Sequence, residues 1–306
     1  MRSSPILSSQ NPIAISFSGA GHLLSYHLGA AETFLTYGSS SNKQLKLPTV
    51  KEVSGSSSGA IAAVVYTHLG YRIHEYAERF LTDGGNALRH LRDMLHEEEA
   101  VSVSKTNHIA HERSGQQPGL HIATTKCIDG SMKRWSFTQK ALDRTISSWP
   151  NTEKILLAVK ASCTIPLSFH PMDCISLGRS LSYPPQEGIL MEDGSYYVDG
   201  GISAPAPTHQ DDILSSSVFP ITVSPISYTA RGNNPNTVNR ISPNDDTWRL
   251  LPIKNISCRG GFLVKPSFQN LRALRIASGA TNRRELQTWY ELGKDNAQEN
   301  LQKWFG

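Results

Sequence analysis

The pentapeptide Gly55-Ser56-Ser57-Ser58-Gly59 centres a serine between two glycines. This is the G-x-S-x-G spacing of a nucleophilic serine held on a sharp strand-to-helix turn. Such a turn is crowded, so it demands small neighbours. Ser56 and Ser58 are candidates by residue type, but only Ser57 sits midway between the glycines. Ser and Gly are common enough here for the string to arise by chance, so its surroundings must carry the argument. Residues 50–54 read as a short strand, and residues 60–69 as a helix that is apolar nearly all round, as a buried helix should be.

A serine nucleophile needs a base and a means of holding an oxyanion. A Ser–Asp–His triad of the usual α/β-hydrolase order fits poorly. Only about two strands precede Ser57, and the single histidine beyond Asp199 is His209, in the polar stretch "PTHQDD". Asp199 is the other candidate base. "YYVDGG" reads as a strand that ends on this carboxylate and turns on two glycines. An ordinary Asp-Gly turn is the competing reading of the same residues. For the oxyanion, Gly19-Ala20-Gly21 forms a second strand-to-helix turn whose small residues leave backbone N–H groups approachable. A dinucleotide-binding loop would need a third glycine where Leu24 stands, and no Walker-type lysine follows.

The elements that must position these residues alternate. Residues 13–35 read as strand, glycine turn and helix. Further strands are expected at 119–125, 154–159, 196–201 (ending in a tight turn) and 219–225, with a helix or helix plus loop over 82–100 and a helix over 138–146. This order predicts an α/β fold with a mainly parallel sheet covered by helices on both faces. After a polar leader (1–12), the catalytic core is expected to span 13–229. Beyond it lie a turn-rich loop and two helices, near 268–278 and 282–304, packed on the core.

In the second of these helices Leu286, Trp289, Tyr290, Gly293, Ala297, Leu301 and Trp304 recur at helical spacing. Packing onto the core is the stronger reading of that stripe, and a membrane-surface helix the weaker.

The 306 residues are 38% hydrophobic and 18% charged, with a net charge of +4, a globular composition too weakly basic to argue for nucleic acid. Four cysteines without a CxxC pair make no disulfide framework. Neither an apolar signal core nor a run of ~20 apolar residues appears, so a cytoplasmic, reducing setting is expected. His108, His111 and His121 lie near one another but without metal-ligand spacing, and no metal or cofactor is expected.

Three separated segments, "SFSGAGHLLSYHLG", "GSSSGA" and "VDGG", resemble in order and spacing the patatin-like phospholipase family, and the first is especially similar to its adiponutrin-like, animal-type branch. "ASCTIPLSF" (161–169) resembles another family block, and residues 270–301 the branch's C-terminal helices. The resemblance implies a patatin-like three-layer α/β/α fold and a lipid acyl hydrolase acting on phospholipids or acylglycerols. Ser57 would be its nucleophile and Asp199 its base, in a dyad without histidine. The elbow would be formed by Gly55, Ser58 and Gly59, and the oxyanion would be held by the amides of Gly19, Ala20 and Gly21. Peripheral contact with a membrane or lipid droplet is implied as well.

Two departures bear on substrate fit. Leu24 stands where the family loop has its last glycine, and His22 replaces an apolar residue, best read as a loop contact. An acyltransferase using the same dyad, and a catalytically silent lipid-binding protein of the same fold, are the alternatives.

Overall fold

The computed structural model describes residues 11–37, 47–83, 86–105, 117–137, 152–170, 173, 181–207, 218–230, 239–243, 255–258, 262–264, 266–279 and 282–306. The helix expected at 138–146 lies outside them, as do His108, His111 and His209.

The main sheet is built on β1 (Ile13–Phe17), β2 (Val50–Ser56) and β3 (Gly119–Lys126). On the far side of β1 it continues through β7 (Phe219–Val223) and β9 (Asn239–Ile241), and all these neighbours pair in parallel. An antiparallel margin adds β4 (Met132–Phe137), β5 (Ile189–Leu190) and β6 (Tyr196–Asp199). The fold is therefore α/β with a mostly parallel central sheet. β8 (Tyr228–Ala230), β10 (Ile256–Cys258) and β11 (Phe262–Val264) form a separate small antiparallel sheet.

The helices are α1 (Leu24–Thr36), α2 (Ser58–His68), α3 (Ile73–Asp83), α4 (Ala87–Lys105), α5 (Thr152–Ser162), the single turn α6 (Gly200–Ser203), α7 (Phe268–Ala277) and α8 (Arg283–Phe305). One core cluster joins Ile13, Ile15, Phe17 and Val53 of the sheet to apolar residues of α1 to α5, α7 and α8. The alternate residues Ala14, Ser16, Ser54 and Ser56 point to the opposite face, because side chains along a strand alternate. Their small size lets backbone approach. Ser16 and Ser54 donate to the Pro207 carbonyl and Ser56 to that of Pro205, so the chain after α6 crosses this face.

Two sequence expectations need correction. Residues 154–159 ("KILLAV") lie inside α5 and not in a strand. Ile155, Ala158, Val159 and Ser162 are buried at helical spacing while Lys154 and Lys160 face solvent, a period that a short apolar run conceals. The stretch beyond Pro225 is not only loop, since β9 pairs Asn239 to Ile241 with Ile221 to Val223 and carries the main sheet past residue 229. The amphipathic α3 and the strand β4 were not anticipated by the sequence reading.

The C-terminal helix α8 lies close against α1. A Cβ on Gly293 would come within 2.1 Å of the Tyr26 carbonyl oxygen, so only glycine allows this approach. Trp289 packs edge-on to Tyr26, whose hydroxyl donates to Asn296 Oδ1 at 2.9 Å, and Tyr290 donates to Glu32. The apolar stripe of α8 is core: Leu286, Trp289, Tyr290, Gly293, Ala297 and Leu301 are all buried.

Candidate active site

Ser57 sits between β2 and α2 with φ 52° and ψ −130°, the one non-glycine positive φ among the described residues. Holding an L-residue there costs about 1–3 kcal/mol, so the surroundings must impose it. They do so with hydrogen bonds and close packing. The Ser57 N–H donates to Ser162 Oγ at 2.8 Å, and the Ser57 carbonyl accepts the Ala60 N–H at 2.9 Å. Gly59 lets α2 lie against the end of β1, since a Cβ there would fall 2.3 Å from the Phe17 carbonyl oxygen. Ser56 and Ser58 are buried, whereas Ser57 is partly exposed.

Asp199 reaches Ser57 through the register of β3. Ala123 pairs with Ser56, the last residue of β2, and the next residue, Thr124, pairs with Asp199, the last of β6. Because β4 occupies one edge of β3 from Leu120 to Thr125, β2 and β6 share the other and meet end to end. β6 is antiparallel, so its carboxylate arrives from beyond the carboxyl end of the parallel strands. Gly200 makes room where the strands meet: a Cβ on it would lie 2.0 Å from the Ala123 carbonyl oxygen.

The Ser57 hydroxyl donates to Asp199 Oδ2 at 2.7 Å, and the Gly201 N–H donates to Oδ1 at 2.6 Å. Asp199 is only 5% exposed, and its burial raises its pKa to about 6, against the opposing pull of the Ser57 and Gly201 hydrogen bonds. Its backbone is fixed as well. The Asp199 N–H donates to the Thr164 carbonyl, and its own carbonyl accepts the Thr125 hydroxyl, which also contacts Ser203 Oγ. A carboxylate with both oxygens engaged and a pKa near neutrality is suited to receive a proton from the serine beside it.

The 19–21 turn lies against the same serine. A Cβ built on Gly19 would stand 3.3 Å from Ser57 Cβ and 3.4 Å from Gly201 Cα. Two of its three amides are engaged, however. Gly19 N–H donates to the Pro205 carbonyl at 2.8 Å and Ala20 N–H to Ser58 Oγ at 3.0 Å. The Gly21 amide has no hydrogen-bond partner among the described residues. Downstream, on α1, the buried His27 contacts the Ser18 carbonyl through Nε2 at 2.8 Å. Its burial lowers its pKa to about 4, so it is neutral near pH 7 and serves as the donor. His22 lies beside Gly279, just beyond α7, where a Cβ would be 3.3 Å from its Nε2.

Sequence reasoning missed Ser162, which accepts from Ser57 and donates to the Ala123 carbonyl at 2.7 Å. It also missed Thr164, Thr125 and Pro205. The polar, small-residue string "ASCT" was the only signal for Ser162 and Thr164. Ser56 and Ser58 are more than small fillers, because each hydroxyl holds a backbone group of a neighbouring segment.

A family model for patatin-like phospholipases matches residues 15–212, more than half of the chain. The chain belongs to the patatin-like phospholipase family. The matched span contains Ser57, Asp199 and the 19–21 turn. Among solved structures, VipD from Legionella pneumophila aligns at 11% identity over 96% of this chain and 67% of its own, with a TM-score of 0.38. The ExoU–SpcU complex of the Pseudomonas aeruginosa type III secretion system aligns at 13% identity over 97% of this chain, with a TM-score of 0.36. This chain spans 53% of that second one. No curated protein matches the chain at a significant level.

Membership in this family supports a lipid hydrolase with a lipid substrate. No helix among the described residues is long and apolar enough to cross a membrane.

Proposed function

We propose that this member of the family is a lipid acyl hydrolase that cleaves carboxylic esters of phospholipids or acylglycerols through a Ser57–Asp199 dyad and an acyl-enzyme. The carrying observation is the 2.7 Å hydrogen bond from the Ser57 hydroxyl, on a strained and partly exposed elbow, to a buried carboxylate. Asp199 accepts the Ser57 proton as Oγ attacks the ester carbonyl, and returns it to the leaving alcohol. Water, giving its proton to the same carboxylate, then attacks the acyl carbonyl, and Asp199 returns that proton to Ser57 Oγ as the free fatty acid leaves. The N-terminal end of α2 adds favourable potential for the developing oxyanion. Because a carboxylate is a weak base for an alcohol, positioning carries much of the rate.

In this proposal the turn amides of Gly19, Ala20 and Gly21 hold the oxyanion. Gly21 N–H is available as it stands, while Ala20 N–H must exchange Ser58 Oγ for the substrate oxygen. The resemblance of the first motif and the C-terminal helices favours the adiponutrin-like branch, with action at the surface of a membrane or lipid droplet.

The engagement of the Gly19 and Ala20 amides favours a second reading, a catalytically silent lipid-binding protein. Labelling with a fluorophosphonate probe separates the two. Labelling of the wild type but not of Ser57→Ala supports the enzyme. Equal labelling of both proteins, or of neither, sinks it. A lipid-panel hydrolysis assay on the same pair then assigns the ester class.

A further inference from the structure

The helix α7 buries Asn270, Ala273 and Ile276 but leaves Phe268, Leu271 and Leu274 outward, 59%, 57% and 51% exposed. These three stand at successive i, i+3 positions and so form a ridge along one side of the helix. Isolated apolar residues on a surface are ordinary, but a contiguous helical ridge marks an interaction surface. Its position is informative. The last turn of α7 abuts the 19–21 turn, where a Cβ on Gly21 would meet the Ala277 carbonyl oxygen at 2.2 Å. Nine helical steps separate Phe268 from Ala277, so the ridge ends beside that turn and extends about 14 Å from it.

Charge indicates what covers the ridge. Arg272, one turn beyond Phe268, faces a wide groove of about 1060 Å³ that is also lined by Arg283 and Arg284 of α8. These three guanidinium groups form no ion pair among the described residues, whereas the neighbouring Arg275 is paired with Glu285. Glu291 and Asp295 line the same groove further along α8, two turns or more from Arg284. An apolar ridge flanked by exposed, unpaired arginines is the pattern of a helix lying in a bilayer interface with anionic headgroups. On the other flank of the site Ile165 and Leu167 are 62% and 96% exposed, in the segment whose Thr164 carbonyl holds Asp199.

We propose that the outer ridge of α7, with Arg272, Arg283 and Arg284, docks this protein on an anionic phospholipid bilayer and brings the 19–21 turn and Ser57 to the lipid surface. The proposal rests on the lipid-hydrolase reading for its purpose, but the docking can be measured without it.

The test is co-sedimentation of the full chain with vesicles of phosphatidylcholine alone or with phosphatidylglycerol added. Hydrolysis of a soluble short-chain p-nitrophenyl ester is followed in parallel. Wild type should sediment with the anionic vesicles. Leu271→Ser/Leu274→Ser should weaken binding to them about tenfold or more. Arg272→Gln/Arg283→Gln should weaken it about fivefold for each charge removed, and on anionic vesicles only. Both variants should keep the wild-type circular dichroism spectrum and rate on the soluble ester.

The proposal is overturned if wild type ignores anionic vesicles or if the leucine variant binds them as wild type does. It is also overturned if the ridge proves to join two copies, so that the variant converts a dimer to a monomer with vesicle binding unchanged. Failure of the hydrolase reading looks different, with no fluorophosphonate labelling of Ser57 while the vesicle results stand.

Discussion

Ser57 is flanked by two regions built to different degrees of completion. On the Asp199 side the polar atoms of the pair are held: Ser162 holds the Ser57 amide, Asp199 takes the hydroxyl, and Gly201, Thr125 and Thr164 fix Asp199. On the turn side the backbone is equally close, yet two of three amides point their hydrogen bonds inward, to Pro205 and Ser58. The first region is made of strand ends joined by register, which leaves little freedom. The second is a turn between strand and helix, where a peptide can exchange one partner for another at the cost of a hydrogen bond, about 1 kcal/mol. In the proposed mechanism the Ser57–Asp199 pair is thus preorganised in the free protein, and the oxyanion side is the part that substrate must complete.

The sharpest way to break this contrast is to disable the completed side. Asp199→Asn should lower kcat/KM for a p-nitrophenyl ester by about 10³-fold, in the upper part of the range for loss of a general base. Wild-type rates in this variant would remove the dyad. The same substitution should raise Tm at neutral pH by a few degrees, a shift that calorimetry would read. The sign follows from the pKa. A carboxyl whose folded-state pKa is raised to about 6 contributes stability in its protonated form, fully present below about 4 and lost as pH rises through 6. At pH 7 the ionised, buried Asp199 therefore costs about 2–3 kcal/mol, which the neutral amide avoids.

That pKa makes pH the next lever. Activity requires the ionised carboxylate, so kcat/KM should fall about tenfold per unit below pH 6 and level off above pH 7. A profile flat down to pH 4 would show that another group is the base.

A smaller effect is expected from Ser162→Ala, which leaves the Ser57 N–H and the Ala123 carbonyl without their hydroxyl partner in a buried site. Stability should fall by about 1–3 kcal/mol in urea unfolding. The strained φ at Ser57 should relax, lowering kcat about tenfold with KM little changed. If kcat is untouched, the elbow is held by glycine packing alone.

The least disruptive change sharpens the other side. Ser58→Ala removes the internal acceptor of the Ala20 amide, and should alter kcat less than about tenfold. A rise would mean that Ser58 competes with the substrate oxygen for that amide. A large fall would mean that Ser58 holds the turn in its working shape.

The parallel strands were legible because they are short runs holding apolar or β-branched residues: β1, β2 and β7 run into Gly, Ser or Pro, and β3 carries Ile122 to Thr125. The α3 helix was also readable in principle, with Ile73, Tyr76, Ala77 and Phe80 buried at helical spacing. Residues 154–159 were not, since six residues cannot separate a buried strand from the inner side of a helix. The pairing that adds β9 joins Ile221 to Asn239, 18 positions apart, which no local window contains, whereas β4 folds back on β3 from Met132 opposite Thr125 and was readable in principle as a hairpin.

By itself the sequence determined which groups are available: a serine between glycines at a strand end, an aspartate before two glycines, and small residues in a second turn. Each follows from local chemistry, because a positive φ, a tight turn or a close helix–strand contact restricts the residue type at that position. Only the tertiary structure decided that Asp199 meets Ser57. Their separation of 142 positions is closed by one residue of register on β3, between Ala123 and Thr124. The same holds for Ser162, Thr164 and Pro205, and for the outward ridge of α7. A side chain's hydrogen-bond partner, or its lack of cover, is set by which segments pack around it.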